Sequence, residues 1–272
     1  MIVRKSKSEL EAMREGGKIT GACLKLIAKN ARRPGVTTGE LDRLAEEFIR
    51  EHGGTPEFKG YPGSPGNSNF PGSICASPNA MIVHGIPGSY RLKDGDIISL
   101  DVGVRYEGFV TDSATTVAVG EVPEATQDLL KTTRQCLLAA AGQVRLGKRL
   151  GDIGNAIQTL AESRGYGVVR DLVSHGVGRK MHEDPQIPNY GRPGTGPRLQ
   201  PGMTFAIEPM ITQGSYGIRM SEWDGWSIYT ADNSLAAHFE HTIAVTENGP
   251  WVLTQAEPNG EGFGVGGTRG AW

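Results

Sequence analysis

Asp101, Asp112, Glu208 and Glu240 each adjoin apolar, strand-like residues, and His175 opens the run His-Gly-Val-Gly. Carboxylates crowded at the edges of buried strands are costly as bare anions. Two of them at ~4 Å repel by about 4 kcal/mol at an effective dielectric near 20. Either some of them keep their protons or a cation lies between them. One imidazole with four carboxylates is a hard, oxygen-rich donor set, too acidic for a structural zinc and suited to a pair of divalent first-row ions. Two ions about 3.5–4 Å apart, bridged by two of the acids, would make a water between them nucleophilic, which is metal-assisted hydrolysis. The Gly-rich run after His175 would bring backbone close to a ligand and leave the imidazole exposed inside a cleft. Taken singly, Asp112 reads as a solvent-facing strand residue, Glu208 as an edge charge and His175 as a turn histidine.

An internal repeat argues against those separate readings. Leu92 to Asp101 aligns without a gap on Leu199 to Glu208, so an acid closes the same apolar pattern twice. Upstream lie His84-Gly85 in one copy and His175-Gly176 in the other. Further back, Arg33, Gly35, Gly39, Glu40 and Leu41 match Arg145, Gly147, Gly151, Asp152 and Ile153. A duplication of this kind predicts two pseudo-symmetric lobes whose acids converge on a shared centre.

The elements that must position these groups follow from periodicity. Ser8 with Glu11 offers a capping box for a first helix over 9–31, ended by Pro34 and Gly35. A second helix over 38–52 carries Leu41, Leu44, Ala45, Phe48 and Ile49 on one face. Residues 60–72 are crowded with Gly, Pro, Ser and Asn and read as a loop. Strands are expected at 73–76 and 81–83, then a hairpin over 96–119. A turn at Tyr106 and Glu107 would set Asp101 directly opposite Asp112; a turn at Glu107 and Gly108 would make them diagonal but still on one face. The second lobe repeats the order, with helices over 125–144 and 151–163 and strands through Glu208, at 227–229 and over 239–246. Residues 255–272 are Gly-rich and read as a disordered tail.

The chain of 272 residues, 38% hydrophobic, is long enough to bury a large core, and the repeat favours one domain over 1–254, with lobes over 9–120 and 121–254. A formal net charge of -2 and a short basic run at Arg4, Lys5 and Lys7 argue against nucleic-acid binding. No continuous apolar stretch reaches membrane-spanning length and no signal-peptide pattern opens the chain, so a soluble cytoplasmic protein is expected. Cys23, Cys75 and Cys136 lack Cys-x-x-Cys spacing and fit reduced thiols.

The segments His84-Gly-Ile-Pro, Leu100-Asp-Val, Thr111-Asp-Ser, Ser174-His-Gly-Val-Gly, Met181-His-Glu-Asp-Pro, Ile207-Glu-Pro-Met and Phe239-Glu-His-Thr resemble those of type I methionine aminopeptidases. The resemblance runs from the first helix to about Thr254. It implies an α+β pita-bread fold, a curved antiparallel sheet flanked by helices with pseudo-two-fold symmetry. It also implies that Asp101, Asp112, His175, Glu208 and Glu240 hold two divalent ions (cobalt, manganese, iron or zinc), with Asp112 and Glu240 bridging. Glu208 would accept the proton of the attacking water, His182 would contact the scissile peptide group or its developing oxyanion, and His84 would help position the substrate and stabilise the reacting centre. Cys75, Trp226, Tyr61 and Phe70 would wall the methionine pocket. The implied substrates are nascent polypeptide N-termini whose second residue is small; a monomer in transient contact with the ribosome would fit that role. Three departures from the family pattern stand out: a long 60–69 segment that could displace Tyr61 and Met181 where an aromatic residue is common, both of which bear on substrate range, and Ala80 in place of an acid after Asn79.

Two rival functions share this fold. An Xaa-Pro aminopeptidase usually carries an additional N-terminal domain, whereas here the helical lobe starts within ten residues of Met1. A non-catalytic binding homologue would be expected to have lost metal ligands, and all five are present. Only 32 positions separate Glu208 from Glu240, which leaves no room for the insertion that marks type II methionine enzymes.

Overall fold

The computed structural model describes residues 1–256, so the tail expected at 255–272 lies, from 257 onward, outside the described residues. The first half comprises α1 (Lys7–Ala31), α2 (Thr38–Glu51), β1 (Thr55–Pro56), β2 (Cys75–Pro78), β3 (Met81–Val83), β4 (Ile97–Tyr106) and β5 (Phe109–Ala118). The second opens with α3 (Glu124–Ala141), α4 (Leu150–Ser163), β6 (Gly167–Val168), β7 (Val173–Gly176), β8 (Glu183–Pro188) and β9 (Thr204–Ile207). It continues with β10 (Met210–Thr212), β11 (Ile218–Met220), β12 (Ile228–Thr230), β13 (Ala236–His238), β14 (His241–Thr246) and β15 (Gly249–Val252). The strand pairings are antiparallel: β4 sits between β1 or β2 and β5, and the second half builds the order β15-β14-β9-β7-β8.

Each half lays its helix pair on the outer face of its own sheet. Ile98, Leu100, Val102 and Val104 of β4 bury against Leu24 and Ile27 of α1 and Leu41 and Ile49 of α2. In the second half Phe205, Ile207, Ile243 and Val245 join Leu137 of α3 and Ile153 and Ile157 of α4. Successive strand residues face opposite ways, so these choices fix where the acids point. Asp101 alternates with Leu100 and Val102, and Glu208 follows Ile207; both face away from the helices, toward the inner side. Asp101 lies in mid-strand rather than at a strand end, because β4 continues to Tyr106.

The two halves also repeat at the level of single bonds. Cys23 Sγ reaches Ala45 O between α1 and α2 at 3.8 Å, and Cys136 Sγ reaches Ile157 O between α3 and α4 at 3.7 Å. Thr37 N donates to Glu40 Oε2 at 2.7 Å and Arg149 N to Asp152 Oδ2 at 2.8 Å, so the matched acids close the first turn of α2 and α4 alike.

The expected cap of α1 is corrected. Ser6 and Glu9 form the box, with Glu9 N donating to Ser6 Oγ and Ser6 N to Glu9 Oε2, instead of Ser8 and Glu11. The same spacing offered two frames, and Lys5 selects the earlier one. Its N–H donates to Gly202 O and its buried ammonium pairs with Glu183 at 2.6 Å, which fixes the chain just before the helix.

Helix α1 also presses on the chain after β15. A Cβ at Gly17 would stand 2.1 Å from Leu253 O, and Arg14 donates to Leu253 O and Gln255 O. Gly17→Ala is expected to destabilise by about 3 kcal/mol, since overpacking against backbone outweighs the helix-propensity gain of roughly 1 kcal/mol. A urea unfolding midpoint unchanged by that substitution would contradict the close packing.

Candidate metal centre

The hairpin turn falls at Glu107 and Gly108, both at positive φ (47° and 82°) as a tight two-residue turn requires. The register therefore pairs Asp101 with Ala114 and Asp112 with Gly103, so the two aspartates are diagonal on one face and the directly opposed arrangement is excluded. From the other half, β9 and β14 pair Ile207 with His241, and Glu208 and Glu240 follow immediately past that pair. A seam joins the halves. Thr242 Oγ1 accepts from Asp112 N and donates to Asp112 O, Glu240 N donates to Ala114 O, and Ser113 Oγ donates to Glu240 O. These bonds use backbone groups of Asp112 and Glu240 and leave their side chains for the centre.

His175 sits in a strand instead of opening a turn, and its imidazole borders the cavity as expected of a cleft residue. It lies within β7, opposite Ala206 of β9, and is 6% exposed. Its Nδ1 lies 2.9 Å from Gly176 O. A carbonyl can only accept, so Nδ1 carries the proton and Nε2 presents a lone pair. That lone pair stands 3.5 Å from Glu208 Oε1, two acceptors facing each other across a gap.

Ligand atoms of Asp112, His175 and Glu240 lie within 4.8 Å of one another, all three buried. Asp101 Oδ1, Asp112 Oδ1 and Glu240 Oε1 are buried without a hydrogen-bond partner among the described residues. Burial lifts Asp101 to about 7, helped by Glu208 and opposed by a hydrogen bond with Asp112. Burial raises Asp112, Glu208 and Glu240 far above the usual carboxylate range, and the neighbouring acids push the same way. Burial lowers His175 and His84 to about 4, with the charge of His182 adding to it, so both are neutral at pH 7. Orphaned acid oxygens facing a neutral imidazole lone pair form a set that a divalent cation would satisfy.

All of the residues singled out in the sequence line one cavity of about 520 Å³: the five donors, His84, His182, Cys75, Phe70, Tyr61 and Trp226. Tyr61 is not displaced by the long loop, because its hydroxyl is 2.7 Å from His182 Nδ1. Asn67 Nδ2 donates to Gly225 O and Trp226 Nε1 to Ser68 O, so the loop is tied to the pocket wall. Phe70 meets Trp226 edge to face at 5.2 Å. Met181 is buried in the wall, its Cε filling the space beside Gly103. His84 holds a φ of 59°, a left-handed conformation costly for a side chain of its size, and its imidazole borders the cavity.

The sequence pattern of metallopeptidase family M24 matches residues 11–247. The methionine aminopeptidase of Clostridium perfringens is 50% identical over 93% of this chain and 99% of its own length. Methionine aminopeptidase 1 of Bacillus subtilis is 48% identical over 94% of this chain and 100% of its own. The crystal structure of methionine aminopeptidase from Rickettsia prowazekii superposes with a TM-score of 0.89 at 42% identity, covering 93% of this chain and 100% of that one. The chain belongs to metallopeptidase family M24, among its type I methionine aminopeptidases.

Other residues of this M24 site escaped the sequence reading. Phe58, Leu172 and Met210 add apolar wall, and none carries a chemical signature. His238 is buried behind the centre with its Nε2 3.4 Å from Glu208 Oε2. Its signal was available: it stands two positions before Glu240, the spacing that places strand residues on one face.

Proposed function

We propose that this M24 aminopeptidase removes the initiator methionine from nascent chains whose second residue is small, and that it does so with two divalent ions. What carries the reading is the meeting of five metal-type donors from both halves beside an apolar pocket. Asp101, Asp112, His175, Glu208 and Glu240 would hold the ions, with Asp112 and Glu240 shared; cobalt, manganese, iron and zinc all suit such ligands. Bound there, they would supply the positive charge that lets water ionise near neutral pH and that polarises the scissile carbonyl.

The chain's own groups do the rest. Cys75, Phe70, Trp226 and Tyr61 would hold the thioether side chain against sulfur and ring edges. Glu208, whose proton affinity burial has raised, would take a proton from the attacking water and deliver it to the departing amine. His84 and His182 would donate to the peptide group; Tyr61 occupies Nδ1 of His182 and leaves Nε2 for the substrate. A single domain over 1–254 would serve, acting as a cytoplasmic monomer in transient contact with the ribosome. Among the described residues no helix is long and apolar enough to cross a membrane.

Release of methionine from Met-Ala-Ser, with no release from Xaa-Pro peptides, is expected once divalent ions are added to chelator-treated protein. Cleavage confined to Xaa-Pro peptides would overturn the assignment.

A further inference from the structure

Glu208 lies between two imidazoles that differ in what their nitrogens can offer. Toward Oε1 stands His175 Nε2, a lone pair, since Nδ1 is committed to Gly176 O. Toward Oε2 stands His238 Nε2 at 3.4 Å. His238 is 1% exposed, and neither of its ring nitrogens has a hydrogen-bond partner among the described residues. Its backbone is fixed on both sides: His238 N donates to Thr116 Oγ1, and Thr116 Oγ1 in turn donates to His238 O. Cross-strand pairing with Met210 of β10 fixes its register next to Glu208. A buried imidazole with no bonded partner is expensive, and the acceptor facing Nε2 is the Glu208 carboxylate, which must present a chosen oxygen to the cavity.

We propose that His238 is a positioning residue for Glu208: its Nε2–H holds Oε2, so that Oε1 stays directed toward His175 and the ion site. The inference rests on Glu208 serving as a ligand and proton acceptor. With Oε2 held, the carboxylate loses the rotation that would otherwise let either oxygen face the centre, so ordering the ligand costs less when an ion arrives.

The test uses His238→Gln, which keeps an N–H donor of similar reach, and His238→Leu, which keeps bulk and removes the donor. Calorimetric titration of chelator-treated protein with Mn²⁺ is expected to show affinity 10- to 100-fold lower, on the order usual for a lost outer partner, in the leucine variant. The glutamine variant is expected to stay within about threefold of the parent on the same scale. Long-range ¹H–¹⁵N spectra of the metal-free parent should show His238 protonated at Nε2. Equal Mn²⁺ affinity in the leucine variant, equal losses in both variants, or a proton found on Nδ1 would each overturn the proposal. Because the titration needs no peptide, failure to cleave Met-Ala-Ser would count against the proposed substrate without touching this result.

Discussion

Asp112→Asn and Glu240→Gln are each expected to lower kcat/KM on Met-Ala-Ser by at least about 10³-fold, a loss of roughly 4 kcal/mol of transition-state stabilisation. Both residues sit where the two halves meet, and with His175 they form the tightest group of donor atoms in the described chain. The seam itself is made by their backbone groups with Thr242, Ala114 and Ser113, while the Asp112 carboxyl bonds to Asp101 inside the acid cluster. The amide replacements keep shape and remove charge from a buried site, so the metal-free variants should unfold no more easily than the parent. The loss should therefore appear in bound-metal stoichiometry after dialysis and in turnover, with the melting profile preserved. Full turnover in metal-stripped Asp112→Asn protein would refute the role assigned to the shared carboxylates.

The donors were legible in the sequence because chemistry and repetition coincide there. A carboxylate after a buried apolar run is unusual once, and Asp101 and Glu208 are such residues at matched positions of a duplicated segment. The fold followed from the same repeat, since a helix pair and an antiparallel sheet that occur twice must bury against each other. What the pattern could not specify was register. Moving the hairpin turn by one residue, from Tyr106-Glu107 to Glu107-Gly108, changes Asp101 and Asp112 from opposed to diagonal, and the positive φ of Glu107 is what selects the second form. The environment of His175 was hidden for a related reason. Glycines after a histidine read as a turn, whereas Gly176 stays in the strand because a Cβ there would stand 2.2 Å from Asp184 O of the neighbouring strand. Pocket walls such as Met210 and Leu172 are assembled from both halves by tertiary packing, and their residue types do not distinguish them from core.

Protein freed of metal is expected to lose stability as the pH rises from about 6.5 to about 8, and divalent ions should abolish that loss. Two sets of buried groups pull in opposite directions at lower pH. His175, His84 and His241, lowered to about 4, and His238, lowered to about 3, stay neutral in the folded protein while the unfolded chain takes up protons below about pH 6.5. Their contribution makes stability rise with pH through that range and is constant above it. Asp101, lifted to about 7, and Asp112, Glu208 and Glu240, raised well above the usual carboxylate range, keep protons that the unfolded chain has already released. A raised acid pKa makes stability fall as pH climbs from the unfolded value toward the folded one, so above about 6.5 only the downward slope remains. Each retained proton is worth about 1.4 kcal/mol per pH unit; two of them over about 1.5 units cost roughly 4 kcal/mol, or about 10 °C in melting temperature. Ions that bind the ionised acids replace those protons and stabilise more as pH rises, because the competing protons leave. Melting curves in chelator that coincide at the two pH values would show that the four acids do not share one buried centre in the folded chain.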